Sequence, residues 1–164
     1  NYTITETQQS GWLASSPLGG ELEVDIDVGT VQLVEFLNCE GAWVDLGQGN
    51  PGAGGLAHLA ASGVPVAGTA GSLHLTDALP GSIALLSVSL GPNTAVPAFC
   101  GTLVAFPADL VHPLVTDPAG QAQFPIVWPT VLPSGLQITA QFVIIEDPLG
   151  PCFAMSNAIT STLP

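Results

Sequence analysis

Proline and glycine are spread so evenly through this chain that it never runs much beyond about ten residues without one; 15 prolines and 19 glycines punctuate 164 residues. Proline breaks a helix interior and glycine there costs about 1 kcal/mol relative to alanine, so long helices are excluded. Between the breakers lie short runs of Val, Ile, Leu and Thr, bounded by Gly, Pro, Asn, Asp and Ser. That is the pattern of short strands joined by turns. A chain of this length is expected to form one domain, burying roughly 70% of the surface it exposes when unfolded.

The charge inventory then narrows the function classes. Lys and Arg are absent, against 13 Asp and Glu, whereas an ordinary chain carries about 25% charged residues of both signs. Without cationic side chains nothing neutralises nucleic-acid phosphates or an anionic membrane surface, so neither is expected as a partner. Schiff-base lysines, arginine clamps and lysine isopeptide cross-links are likewise excluded. Trypsin-like proteases find no site to cut, which is an advantage outside a cell. No run of 18 apolar residues reads as a membrane-spanning helix and no positively charged stretch opens the chain, so the first residue is read as a mature, secreted N-terminus. Three cysteines, Cys39, Cys100 and Cys152, leave either one odd thiol beside a bridge or three free thiols.

The opening NYTITETQ alternates as a strand does, with Tyr2, Ile4 and Glu6 on one side and Thr3, Thr5 and Thr7 on the other. A Gly/Ser/Pro tether, QSGWLASSPLGG, follows it instead of a tight turn, so no pairing partner lies close in sequence. Residues 1–20 are read as a donor strand and tether, and 21–164 as a single sandwich domain. ELEVDIDV (21–28) alternates strictly, VGT turns the chain, and VQLVEFL (31–37) is the expected hairpin partner. Residues 38–57 are rich in turn formers around Trp43, expected to plug one end of the core. Strands are expected within 56–62, 72–78, 82–91, 101–106, 110–116, 122–128, 136–145 and 152–162, with a turn at TDPAG (116–120). Pro113, Pro125 and Pro129 point to sheet edges or bulges. The expected fold is an all-β antiparallel sandwich, jelly-roll-like or Ig-like, with an N-terminal extension strand.

From Trp43 onward the motifs WVDLGQGNPGAGG, SLHLTDALPGSIALLSVSL, GTLVAFPADLV, TDPAGQAQFPIVWPTVLPSGLQITAQFVIIED and MSNAITST occur in order. The chain there resembles the low-charge all-β domain found at the C-terminal ends of many secreted planctomycete-type bacterial proteins. The resemblance covers roughly three quarters of the chain, leaves out residues 1–42, and implies a β-sandwich outside the cell with no established catalytic residues. Cys100 and Cys152 stand where small residues are more usual in that pattern, and their joint arrival implies that they pair. A bridge closing a loop of that size contributes about 4 kcal/mol in the chain-entropy picture.

Candidate chemistry is sparse. Glu21, Glu23, Asp25 and Asp27 line one strand face about 6.7 Å apart, and each adjacent pair repels by about 0.6 kcal/mol in water. The row is either a solvated acidic face with diffuse counterions or a Ca²⁺ or Mg²⁺ site bridging subunits, since hard cations take carboxylate oxygens. His58, His74 and His112 lack zinc-ligand spacing, and the i,i+3 pairs His74/Asp77 and Asp109/His112 point to opposite faces of a strand. No nucleophile elbow, zinc-protease or phosphate-loop motif occurs, so no enzyme is expected and no catalytic residue is singled out. Trp12, Trp43, Trp128 and Tyr2 serve either as core plugs or as a sugar-stacking platform.

The function expected from these readings is structural. The chain reads as a subunit of an extracellular filament, a homopolymer formed when Tyr2, Thr3, Ile4, Thr5, Glu6 and Thr7 are donated to the next copy, with Trp12 anchoring the tether. The alternative is a secreted carbohydrate- or cell-surface-binding module. No cofactor is implied beyond Ca²⁺ or Mg²⁺ counterions.

Overall fold

The computed structural model describes the backbone at residues 2–5, 12–16, 21–24 and 37–40, and backbone and side chains at 43–147 and 149–163. Every described regular element is a strand. The first four are β1 (Tyr2–Thr5), β2 (Trp12–Ser16), β3 (Glu21–Val24) and β4 (Leu37–Glu40). From Trp43 onward follow β5 (Val44–Gly47), β6 (His58–Ser62), β7 (Ala70–Thr76), β8 (Ile83–Leu90), β9 (Val96–Ala98) and β10 (Gly101–Leu103). The chain continues through β11 (Leu110–Val115), β12 (Ala122–Val127), β13 (Gln137–Ile145), β14 (Ala154–Met155) and β15 (Ala158–Thr162).

Two antiparallel sheets form the sandwich. The larger has six strands in the order β11-β8-β13-β15-β5, with β14 also paired to β13, and the smaller has the order β12-β7-β6. Period-2 alternation supplies the interior. Leu59, Leu73 and Leu75 of the small sheet meet Ala84, Leu86, Val88, Ile138, Ala140, Phe142, Ile144 and Ile159 of the large one, all nearly or fully buried. Burying a Leu, Ile or Phe side chain contributes about 1.5–3 kcal/mol, so this layer supplies most of the folding drive.

β13 is buried on both faces, which explains why its sequence, QITAQFVII, reads as a nearly continuous apolar run. Its second face is covered by the segment carrying the β9–β10 hairpin. Gln141, fully buried, accepts from the Val104 amide at 2.8 Å and donates to the carbonyls of Thr102 and Ser156, each at 3.1 Å. Asn93 Nδ2 donates to Thr139 Oγ1 at 2.6 Å, pinning the same segment.

Several expectations are corrected. β5 and β9 were not foreseen, because one is a four-residue strand in a glycine-rich stretch and the other contains Pro97. The expected strand over 152–162 is two strands, interrupted where Ser156 Oγ accepts from the Phe142 amide at 3.0 Å and donates to the Asn157 carbonyl at 2.8 Å. TDPAG is a turn as expected, with the Gly120 amide on the Asp117 carbonyl at 2.9 Å and Gly120 at φ 73°. It joins β11 of one sheet to β12 of the other, making it a corner of the sandwich and not a hairpin. β3 pairs with β1, with Tyr2 opposite Val24 and Ile4 opposite Leu22; the hairpin expected between 21–28 and 31–37 falls on residues 25–36, which lie outside the described residues.

Candidate functional site

The first strand finds its partner within the chain. β1 and β3 form a two-stranded antiparallel sheet with Tyr2 opposite Val24, Thr3 opposite Glu23, Ile4 opposite Leu22 and Thr5 opposite Glu21. The register sets apolar residues against apolar ones and threonines against glutamates. β2 and β4 form a second such pair, with Trp12 opposite Glu40 and Leu13 opposite Cys39. Of the acidic row, Glu21 and Glu23 stand in β3, while Asp25 and Asp27, like Glu6 and Thr7 of the expected donor strand, lie outside the described residues.

All four edges of the sandwich carry a device that discourages further pairing. On β11, the Thr116 amide donates to the Ser82 carbonyl at 3.0 Å. Through the register with β8, that bond turns the backbone groups of residues 110, 112 and 114 inward and those of 111, 113 and 115 outward. Pro113 therefore sits where its missing N–H would have faced a newcomer. β12 repeats the arrangement: the Trp128 amide donates to the Thr69 carbonyl at 2.9 Å, and the register with β7 turns Pro125 outward. Proline thus removes the central donor of each edge at no cost to the ladder inside.

The other two edges use side chains and irregularity. On β6, Leu59 turns both backbone groups away from β7, and the Asn157 amide takes them: the Leu59 amide donates to Asn157 Oδ1 at 2.6 Å and Asn157 Nδ2 donates to the Leu59 carbonyl at 3.0 Å. This clamp also joins the two sheets along one side. On β5 the ladder to β15 is bulged, and Asp45 Oδ1 accepts from the Gly47 amide at 2.8 Å. The sequence pattern flagged the prolines as edge markers, but nothing in it distinguished Asn157 from any other polar residue in a strand.

Cys100 and Cys152 form a disulfide across 52 positions. It fastens the tip of the β9–β10 hairpin, whose central residues Phe99 and Cys100 both have positive φ, 52° and 67°. Such turns favour Asn-Gly, because side chains there cost about 1–2 kcal/mol each. The bridge holds the tip in place, together with the Phe153 amide on the Phe99 carbonyl at 3.1 Å and the Phe99–Phe153 ring contact at 5.0 Å.

Two further places carry polar or aromatic groups. Trp43 and Trp128 pack with ring centroids 6.4 Å apart at one end of the core, the plug expected of Trp43, and Trp43 Nε1 donates to the Gly63 carbonyl at 3.1 Å. They border an apolar crevice of about 170 Å³ that also touches Leu90, Leu110 and Phe124. Trp128 is only 9% exposed and Trp43 is half-buried against the core; the side chains of Tyr2 and Trp12, the other two aromatics of the expected sugar platform, lie outside the described residues. His74 lies 3.2 Å from Ser62 Oγ, His112 packs 4.9 Å from the Phe124 ring, and His58 is exposed on β6. Among the described residues, no three His, Cys, Asp or Glu side chains gather as metal ligands. No family model matches the chain, and no curated protein is similar to it.

Proposed function

We propose that the chain is the structural subunit of an extracellular, pilus-like fibre, a homopolymer whose copies are joined through the first strand. One observation carries the reading. Among the described residues β1 forms its ladder with β3 and with no strand of the sandwich, whose core and edges are complete without it. A strand the core does not need is available as a connector, and strand addition generates open head-to-tail chains. The disulfide suits an oxidising compartment, and a chain without Lys or Arg suits exposure to trypsin-like proteases.

A net charge of −13 per copy makes neighbouring subunits repel, so salt or divalent cations favour assembly. Negative-stain microscopy of the purified protein at high concentration tests the proposal, and fibres are the expected result. Deletion of residues 1–9 should leave a folded monomer. Monodisperse particles under all salt conditions, or undiminished fibres from the truncated chain, would refute the connector role. A carbohydrate-binding module, the competing reading, requires an exposed aromatic platform; of its expected members Trp128 is buried, and the side chains of Tyr2 and Trp12 lie outside the described residues.

A further inference from the structure

We infer that the acceptor of the first strand in the polymer is β3 of the next copy, so that assembly exchanges a pairing each chain also makes within itself. The inference rests on the fibre reading and names its partner surface.

Three observations converge on β3. The sandwich edges are defended: Pro113 and Pro125 remove the outward donors of β11 and β12, Asn157 occupies β6, and a bulge with the Asp45 carboxylate marks β5. A strand seeking a continuous ladder finds none there. β3, by contrast, already accepts Tyr2–Thr5 over four consecutive residue pairs, and an identical strand from another copy would make the same bonds in the same register.

Charge selects the partner as well. β3 carries Glu21 and Glu23, and the chain has no Lys or Arg to answer them. Two copies of β3 paired with each other would bring carboxylates together, which is unfavourable for directly opposed like charges. Tyr2–Thr5 is uncharged and sets Thr3 and Thr5 against the glutamates, with Ile4 against Leu22. It is the complementary strand that every copy carries. The six residues 6–11 between β1 and β2 reach about 20 Å when extended, so β1 can cross to a neighbour while β2 keeps its pairing with β4. Because the bonds broken and made are the same, concentration and subunit repulsion set the balance between monomer and polymer.

Cysteine cross-linking tests this in the full chain. Opposed residues of an antiparallel pair have Cα atoms about 4.5–5.5 Å apart, within the span of a disulfide. Copies carrying Thr3→Cys are mixed with copies carrying Glu23→Cys, both with Cys39→Ser, assembled, and oxidised. A band at twice the monomer mass on a non-reducing gel is expected for this mixture, and not when the partner copy carries Val111→Cys on β11. Fibres that form without the Thr3–Glu23 cross-link, or that cross-link to Val111→Cys instead, would overturn β3 as acceptor and leave the fibre reading standing. If the chain stays monomeric at every concentration and the double variant Thr3→Cys/Glu23→Cys closes only within one chain, both proposals fall.

Discussion

Residues 1–42 and residues 43–164 solve the same problem, an exposed strand edge, with different chemistry. More than half of the thirteen acidic residues lie in the first region, which holds a single proline, Pro17. The second region has the other fourteen prolines and few charges. Many proteins blunt an edge with lysine, and this chain has none. The sandwich therefore relies on devices that occupy or remove backbone hydrogen-bonding groups, at Pro113, Pro125, Asn157 and the β5 bulge. In the first region the acidic β3 pairs with an uncharged strand, Tyr2–Thr5, and on the fibre proposal its charge disfavours a second copy of itself. Devices that occupy or remove backbone groups reject every strand alike, whereas charge rejects selectively. That difference is what the fibre proposal draws on, with the sandwich as a closed body and the first region as the proposed connector.

The contrast is open to attack at several points. The largest loss is expected from Cys152→Ser, which removes a cross-link over 52 positions and lowers stability by about 4 kcal/mol on the loop-entropy scale. Urea unfolding of the truncated monomer measures it, and the same variant in the full chain should still exchange its first strand. Asn157→Leu comes next, at roughly 2–4 kcal/mol, because the Leu59 amide and carbonyl are left unpaired in a buried setting. A loss below about 1 kcal/mol would mean that water replaces the clamp and that β6 is not defended by it.

Pro113→Thr and Pro125→Thr restore outward donors and should change stability by only about 0.4–1 kcal/mol, through the freer unfolded chain. Their signature is association: the doubly substituted, truncated chain should sediment as larger species where the truncated parent remains monomeric. Unchanged sedimentation would remove the two prolines from the list of guards. The smallest effect belongs to Glu21→Gln with Glu23→Gln, which relieves a repulsion of about 0.6 kcal/mol along the strand. Assembly of this variant should need less salt than the parent, a shift read by light scattering across a salt titration.

Much of the sandwich was legible because alternation is a local property. β8, β11, β12 and β13 fall within one or two residues of the expected runs, and Pro113 and Pro125 correctly marked edge strands. The pairing of Cys100 with Cys152, implied by a family resemblance, is present. What escaped was non-local. β5 and β9 are strands because β15 and β10 pair with them, not because VDLG or VPA favour extended structure on their own. The pairing of β3 with β1, some twenty residues earlier, is non-local in the same way.

Composition and local pattern were enough to mark this chain as all-β, to leave it without Lys or Arg, and to leave its first strand without a partner close in sequence. Composition and period-2 alternation act residue by residue, so they need no knowledge of neighbours. Which way each proline faces, that the Asn157 amide seals β6, and that β3 pairs with the first strand within the chain emerge only from the folded molecule. Those facts depend on hydrogen-bond register, and register exists only once two strands distant in sequence have met.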